Sequence, residues 1–226
     1  MMMNKIFLIL LFLHSAVCYT QELKSDTLSA TNIKAVTINS KDYEKIEYSY
    51  GLKQEINFKL ATVNPNADYE LGLRFKNTSK KNGRISNVIL FLHKSAKNLP
   101  LANLELNFYK VDSLTGRPLE KLNTEQIIFT PTSRKRGSFK INVEGFNIHF
   151  PAEGALVSVK WLPTEEYNMQ VGPAIRLTNY KERLTYTRYN NDPAKWGNNF
   201  NFSKKPGVYT NAMIGLEVYI KRRTVN

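Results

Sequence analysis

Residues 187 to 202 read TRYNNDPAKWGNNFNF, a run dense in asparagine and aromatic side chains. Tyr189 and Trp196 offer flat apolar faces that can stack on sugar rings. Arg188, Asn190, Asn191 and Asn198 offer groups for hydroxyls or an acidic function, and Tyr186 alternates onto the same strand face as Arg188. An apolar platform with convergent polar groups is the pattern of a ligand site. The same residues support a purely structural use. Trp196, with Gly197 beside it, can fold back over the open end of a β-sandwich, while the asparagines hydrogen-bond an otherwise unpaired loop backbone. The candidate ligand-binding set is therefore Tyr186, Arg188, Tyr189, Asn190, Asn191, Trp196 and Asn198, with core capping as the competing use of the tryptophan.

Other chemistry is thinly represented. The sequence has no Gly-x-Ser-x-Gly elbow, no His-Glu-x-x-His, no Gly-x-Gly-x-x-Gly and no phosphate loop. Beyond the first 20 residues only His93 and His149 remain, and both read as half-buried strand residues rather than a general base or metal ligand. Glu165 and Glu166 form the most obvious acidic pair, but adjacent residues in an extended segment point to opposite faces. A glycosidase needs two carboxylates across a cleft, which only the fold can bring together. Asn64, Asn66 and Asp68 have the odd spacing of a calcium loop without its turn glycine, so a plain turn is expected. No catalytic residue, metal or cofactor is assigned.

The chain carries 32 Lys and Arg against 19 Asp and Glu, a formal charge of +13. Its basic runs are Lys80, Lys81 and Arg84; Arg134, Lys135 and Arg136; Lys204 and Lys205; and Lys221, Arg222 and Arg223. They can converge into a polyanion site or remain separate solvated charges, and no stacking platform of a nucleic-acid module accompanies them. Asp26-Thr27-Leu28 and Asp112-Ser113-Leu114 match an O-glycosylation acceptor pattern of Bacteroidota envelopes.

The elements that must position these groups are strands. In QEINFKL, Ile56, Phe58 and Leu60 fall on one face, and the same period gives Leu71, Leu73 and Phe75, then Leu104, Leu106 and Phe108, then Phe139, Ile141 and Val143. Ala212, Ile214, Leu216, Val218 and Ile220 align near the end, and VILFLH, residues 88–93, reads as a central strand. LSATNIKAVTI and YEKIEYSYG add two strands in a more polar lead-in. Turn chemistry in NPNAD, KKNG, LTGRP, RKRG, PAEG and KKPG separates the runs. No segment holds a 3.6-residue period. The expectation is all-β: one antiparallel β-sandwich, jelly-roll-like, with about ten strands. It spans residues 21–226 as a single domain, with 21–50 as an edge or partly ordered lead-in.

Residues 1–20 read as a secretory signal peptide: Lys5, then eight apolar residues from Ile6 to Leu13, then small residues. Cleavage after Cys18 or Thr20 would remove the only cysteine, and with it disulfides and thiolate chemistry. A spanning helix needs roughly 20 apolar residues, and no segment reaches that length. Removing residues 1–20 takes away Lys5 and no acid, leaving 31 basic against 19 acidic residues and a charge of +12. A secreted, periplasmic or outer-envelope location is expected.

The series YELGLRF, GRISNVILFL, LELNFYKVDSLTGRPLEKL, GSFKINVEGFNIHFPAEGALVSVKWL and the late TYTRY and KWG resembles an uncharacterised domain of exported Bacteroidota proteins. The resemblance covers roughly residues 68 to 220. Relatives of that domain sometimes carry it behind a carboxypeptidase-like regulatory domain, which this chain lacks upstream. The resemblance implies no catalytic residues. The expected function is a non-enzymatic, exported β-sandwich that acts in adhesion or in glycan or polyanion binding. The alternatives are a carbohydrate-active enzyme and a structural or assembly partner without a small ligand.

Overall fold

Alternation along each strand turns one row of apolar side chains toward a shared interior, and two such sheets meet face to face. The computed structural model describes residues 42–50, 65–93, 97–132, 137–164, 170–189, 192 and 195–222. The first sheet has the order β1 (Tyr43–Tyr48), β13 (Ile214–Lys221), β3 (Gly83–Leu92), β7 (Gly137–Asn142), with β8 (His149–Phe150) also paired to β3. The second has the order β11 (Thr185–Tyr189), β2 (Tyr69–Phe75), β9 (Ala155–Trp161), β4 (Leu104–Val111), β5 (Pro118–Lys121), with β6 (Ile127–Phe129) also on β4. A short ladder of β10 (Leu177–Tyr180) and β12 (Tyr209–Ala212) lies apart from both. All strand pairs are antiparallel.

The chain passes from one sheet to the other between β1 and β2, β2 and β3, β3 and β4, β6 and β7, and β8 and β9, and it returns from β11 to the first sheet at β13 by way of β12. That interleaving is the jelly-roll arrangement. The protein is thus an all-β sandwich, as its alternation implies. Thirteen strands stand among the described residues rather than about ten, because β5, β6, β8, β10 and β12 are two to four residues long. A period of two cannot show itself over so few positions. No α-helix occurs among the described residues; one short 3-10 turn spans Glu144–Phe146.

The core contains the predicted rows. Leu71, Leu73 and Phe75 meet Leu104, Leu106 and Phe108 from the second sheet, and Ile214, Leu216, Val218 and Ile220 from the first. Residues 88–92 of VILFLH form the second half of β3, which lies between β13 and β7. Phe139 and Ile141 are only partly buried, since β7 is at the sheet edge. Turn residues fall where expected, with two physical refinements. Gly154 sits at φ +98, and a Cβ there would lie 2.0 Å from the Phe75 carbonyl oxygen, so both conformation and space demand glycine. In KKNG the left-handed residue is Lys80, at φ 56, while Gly83 belongs to β3. The predicted strands at 28–38 and 54–60, the basic run 134–136, Glu165, Glu166 and Asn64 lie outside the described residues, as do residues 1–20 and 26–28.

Candidate functional site

The second sheet is buried on both faces at its centre. In β9 every residue from Ala155 to Trp161 is buried, including Leu156, Ser158 and Lys160, which alternate away from the core. Register places Glu70 of β2 between Lys160 of β9 and Arg188 of β11, and sets Asn107 of β4 opposite Ser158. Gly72 keeps this face low: a Cβ there would stand 2.6 Å from Leu156 Cδ2 and 2.9 Å from Ser158 Cβ.

Glu70, 1% exposed, is the hub of this face. Its Oε2 accepts from Arg188 Nε at 2.6 Å. Its Oε1 accepts from Asn107 Nδ2 at 3.1 Å, from the Tyr109 hydroxyl at 3.0 Å and from the Ser158 hydroxyl. Arg188 Nη2 donates to the Tyr109 hydroxyl at 2.6 Å, closing a ring of three side chains. Burial, reinforced by the Glu70 carboxylate, pushes the Tyr109 phenol far above its ordinary pKa. Beside it, Lys160 pairs with Asp68 at 3.0 Å. A buried ion pair is retained only when further hydrogen bonds satisfy both partners, and this one meets that condition.

Trp196 covers the ring. The Arg188 guanidinium lies 4.6 Å from its ring centroid, and Tyr109 meets it edge-on at 5.5 Å. With Val111, Leu156 and Tyr186 it forms a second apolar cluster separate from the main core. Two backbone hydrogen bonds anchor it, Thr187 N–H to the Gly197 carbonyl at 2.8 Å and Gly197 N–H to the Thr187 carbonyl at 2.9 Å. The tryptophan thus closes over the outer face of a sheet, not over the open end of the sandwich.

Of the predicted ligand residues, the structure brings Tyr186, Arg188 and Trp196 together in this buried clasp. Asn198 is exposed, and Asn190 and Asn191 lie outside the described residues. Tyr189 is 44% exposed and faces the other way, its ring 6.5 Å from that of Tyr69.

That direction leads to an apolar notch at the end of the sandwich where β2 begins and β9 ends. Tyr69, Leu71, Trp161, Ile175, Leu177 and Phe200 line it around a recess of only about 40 Å³. The Tyr69 and Trp161 rings are 6.2 Å apart, and Trp161 Nε1 donates to the Pro173 carbonyl at 2.7 Å. Burial raises the Tyr69 phenol pKa, against the effect of a hydrogen bond with Thr187. Phe200 meets Phe202 at 5.0 Å, and Phe202 is 43% exposed. Sequence reading places Tyr189 in a site but misses Tyr69, Trp161, Phe200 and Phe202. Tyr69 and Trp161 come from distant strands and carry only the alternation that marks core residues, while Phe200 and Phe202 stand at the end of the aromatic run itself, outside the residues chosen from it.

The first sheet carries its own outward acid. Glu217 accepts from Asn87 Nδ2 at 2.8 Å and pairs with Lys45 and Lys140, each at 2.7 Å. Burial works to raise its pKa, but the hydrogen bonds from Lys140 and Lys45 outweigh burial and hold it below its ordinary value. His149 is exposed rather than half-buried, because β8 has only two residues and turns this one outward; His93 is half-buried just after β3. Among the described residues no three His, Cys, Asp or Glu side chains are grouped to hold a metal ion. No helix among them is long and apolar enough to cross a membrane. No protein-family model, no curated protein and no solved structure matches the chain.

Proposed function

We propose that this protein is an exported, non-enzymatic binding module of the cell envelope or exterior, and that it takes a glycan at the aromatic notch. The observation that carries the reading is two aromatic pairs beside a small apolar recess: Tyr69 and Phe200 line it, and each packs against an exposed ring, Tyr189 and Phe202 respectively. Sugar rings present apolar C–H faces to aromatic rings, and a concave apolar site with a few polar neighbours suits such a ligand. The exposed rings of Tyr189 and Phe202 are what an incoming sugar would meet first. A binding role also agrees with how the protein uses its buried acids. Glu70 and Glu217 are each occupied by cations and hydrogen-bond donors, which is a structural use of a carboxylate.

The test is a glycan array followed by titration of retained glycans against Tyr189→Ala and Phe202→Ala. Both side chains are largely exposed, so each variant should keep its stability within about 1 kcal/mol. The expected result is retention of at least one glycan and an affinity loss of about tenfold in each variant, consistent with about 1 to 2 kcal/mol per stacked ring. An array with no retained glycan, or undiminished binding by both variants, overturns the reading.

A further inference from the structure

Two basic runs that lie 140 residues apart meet at one corner of the sandwich. Lys80 and Lys81 occupy the turn that leads into β3, and β13 ends at Lys221 with Arg222 after it. Register sets Gly83 opposite Ile220, and Lys81 Nζ donates to the Lys221 carbonyl at 3.4 Å. The Arg222 N–H donates to the Asp42 carbonyl at 2.9 Å, and its Nε to the Tyr43 carbonyl at 3.2 Å. The notch is at the other end of β3, where Leu92 bridges Ile175.

The lysine turn is rigidly built. Asn77, 2% exposed, accepts at Oδ1 from the Ser79 N–H at 3.1 Å and the Ser79 hydroxyl at 2.7 Å. Its Nδ2 donates to the carbonyls of Lys81 at 2.7 Å and Pro151 at 2.8 Å. This frame holds Lys80 in a left-handed conformation at φ 56, which few non-glycine residues adopt, and leaves its side chain exposed. None of Lys80, Lys81, Lys221 and Arg222 belongs to an ion pair among the described residues, whereas Lys45 and Lys140 on the same sheet are both held by Glu217. Acids that register and backbone contacts place beside this corner are Asp42, Glu44 opposite Ile220, and Glu153, which sits in a turn tied to Asn82 through the Ala152 N–H at 3.2 Å. Four cations against these three carboxylates leave the corner positive.

We propose that this corner binds an acidic polysaccharide, holding its carboxylate or sulfate groups by charge. The cations are presented from two strands that pair side by side, so they face one stretch of a polymer whose charges recur along its length. The large apolar side chains exposed elsewhere, Leu114, Leu119, Ile128, Tyr189 and Phe202, are not at this corner. Among the described residues a lipid surface therefore finds no exposed large apolar anchor here, and a single-stranded nucleic acid finds none of these exposed rings on which to stack. The site is independent of the notch.

The test titrates the purified protein with polygalacturonate between about 50 and 200 mM salt, where counterion release makes such contacts fall steeply. The triple variant K80Q/K81Q/K221Q is compared with K97Q/K204Q/K205Q, which removes the same charge from exposed lysines elsewhere. The corner variant should bind about tenfold more weakly at low salt and flatten the slope of log K against log salt by about 2, while the control keeps both and both melt as the parent does. The proposal fails if polygalacturonate does not bind or if the two variants lose affinity equally. It also fails if oligothymidylate or anionic vesicles bind the parent as tightly and through the same lysines.

Discussion

Substituting Arg188 by Met tests whether the ring under Trp196 is structural. The Arg188 and Glu70 side chains are 7% and 1% exposed, and their contact of 2.6 Å is nearly dry. Removing the guanidinium leaves a buried carboxylate with three neutral donors and no contacting cation, and breaking one side of such a pair costs about 3 to 5 kcal/mol. Lys160 is adjacent in register but is held by Asp68, so it compensates poorly. Losing the guanidinium from the Trp196 and Tyr109 faces adds about 1 kcal/mol, and the methionine stem restores part of the packing. The net expectation is about 4 kcal/mol.

Glu70→Gln alone strands the arginine and should cost about 3 kcal/mol, whereas the double variant removes both charges and keeps a carbonyl for Ser158, Asn107 and Tyr109. A coupling of about 2 to 3 kcal/mol should therefore appear in the cycle. Urea unfolding of the four proteins measures it. In thermal melts Arg188→Met should lower Tm by roughly 8 to 16 °C, at about 2 to 4 °C per kcal/mol for a domain of this size. Additive single effects, or a loss under about 1 kcal/mol for Arg188→Met, would refute the buried pair and return the arginine to the ligand set.

Trp196→Ala should cost about 3 kcal/mol by urea unfolding, since the ring is 9% exposed and its covering loop can partly collapse into the space. Trp196→Phe should cost about 1 kcal/mol, because the buried Nε1 has no hydrogen-bond partner to lose among the described residues; equal losses in the two variants would contradict packing as the cause. Glu217, with a folded pKa below its ordinary value of 4.5, contributes stability that is present above that pH and lost as pH falls through the folded value. Glu217→Gln should therefore lower Tm at neutral pH and flatten its decline on acidification; a parallel acid limb in parent and variant would count against the linkage.

The strand rows were legible because burial on one face imprints a period of two, as Leu71, Leu73 and Phe75 show, and as Ala212 through Ile220 show at greater length. The clasp was half legible. Tyr186, Arg188 and Trp196 are marked by local composition, but Glu70, Asn107, Tyr109 and Ser158 look like ordinary outward-facing strand residues. Nothing local reveals that three neighbouring strands line them up under a returning loop, because register is a tertiary quantity. The basic corner shows the same limit: Lys81 and Lys221 are adjacent only because β3 pairs with β13. Left-handed Lys80 was hidden by a glycine two residues past Lys81, which local turn chemistry would choose instead.

The two outward acids show why one face is closed and the other open. Glu217 is itself buried, but the cations it draws are 43% and 49% exposed, so its cover is two solvated lysine side chains and no apolar ring among the described residues lies over it. Glu70 is roofed by Trp196, so its single arginine is locked in place. Along β11 the side chains alternate, and a clamp on Arg188 therefore fixes its neighbour Tyr189 on the opposite side, beside Tyr69 at the rim of the notch. In that geometry the buried ion pair serves the proposed sugar contact without touching it. It holds the edge strand, and through the strand it presents the exposed ring that a glycan would meet.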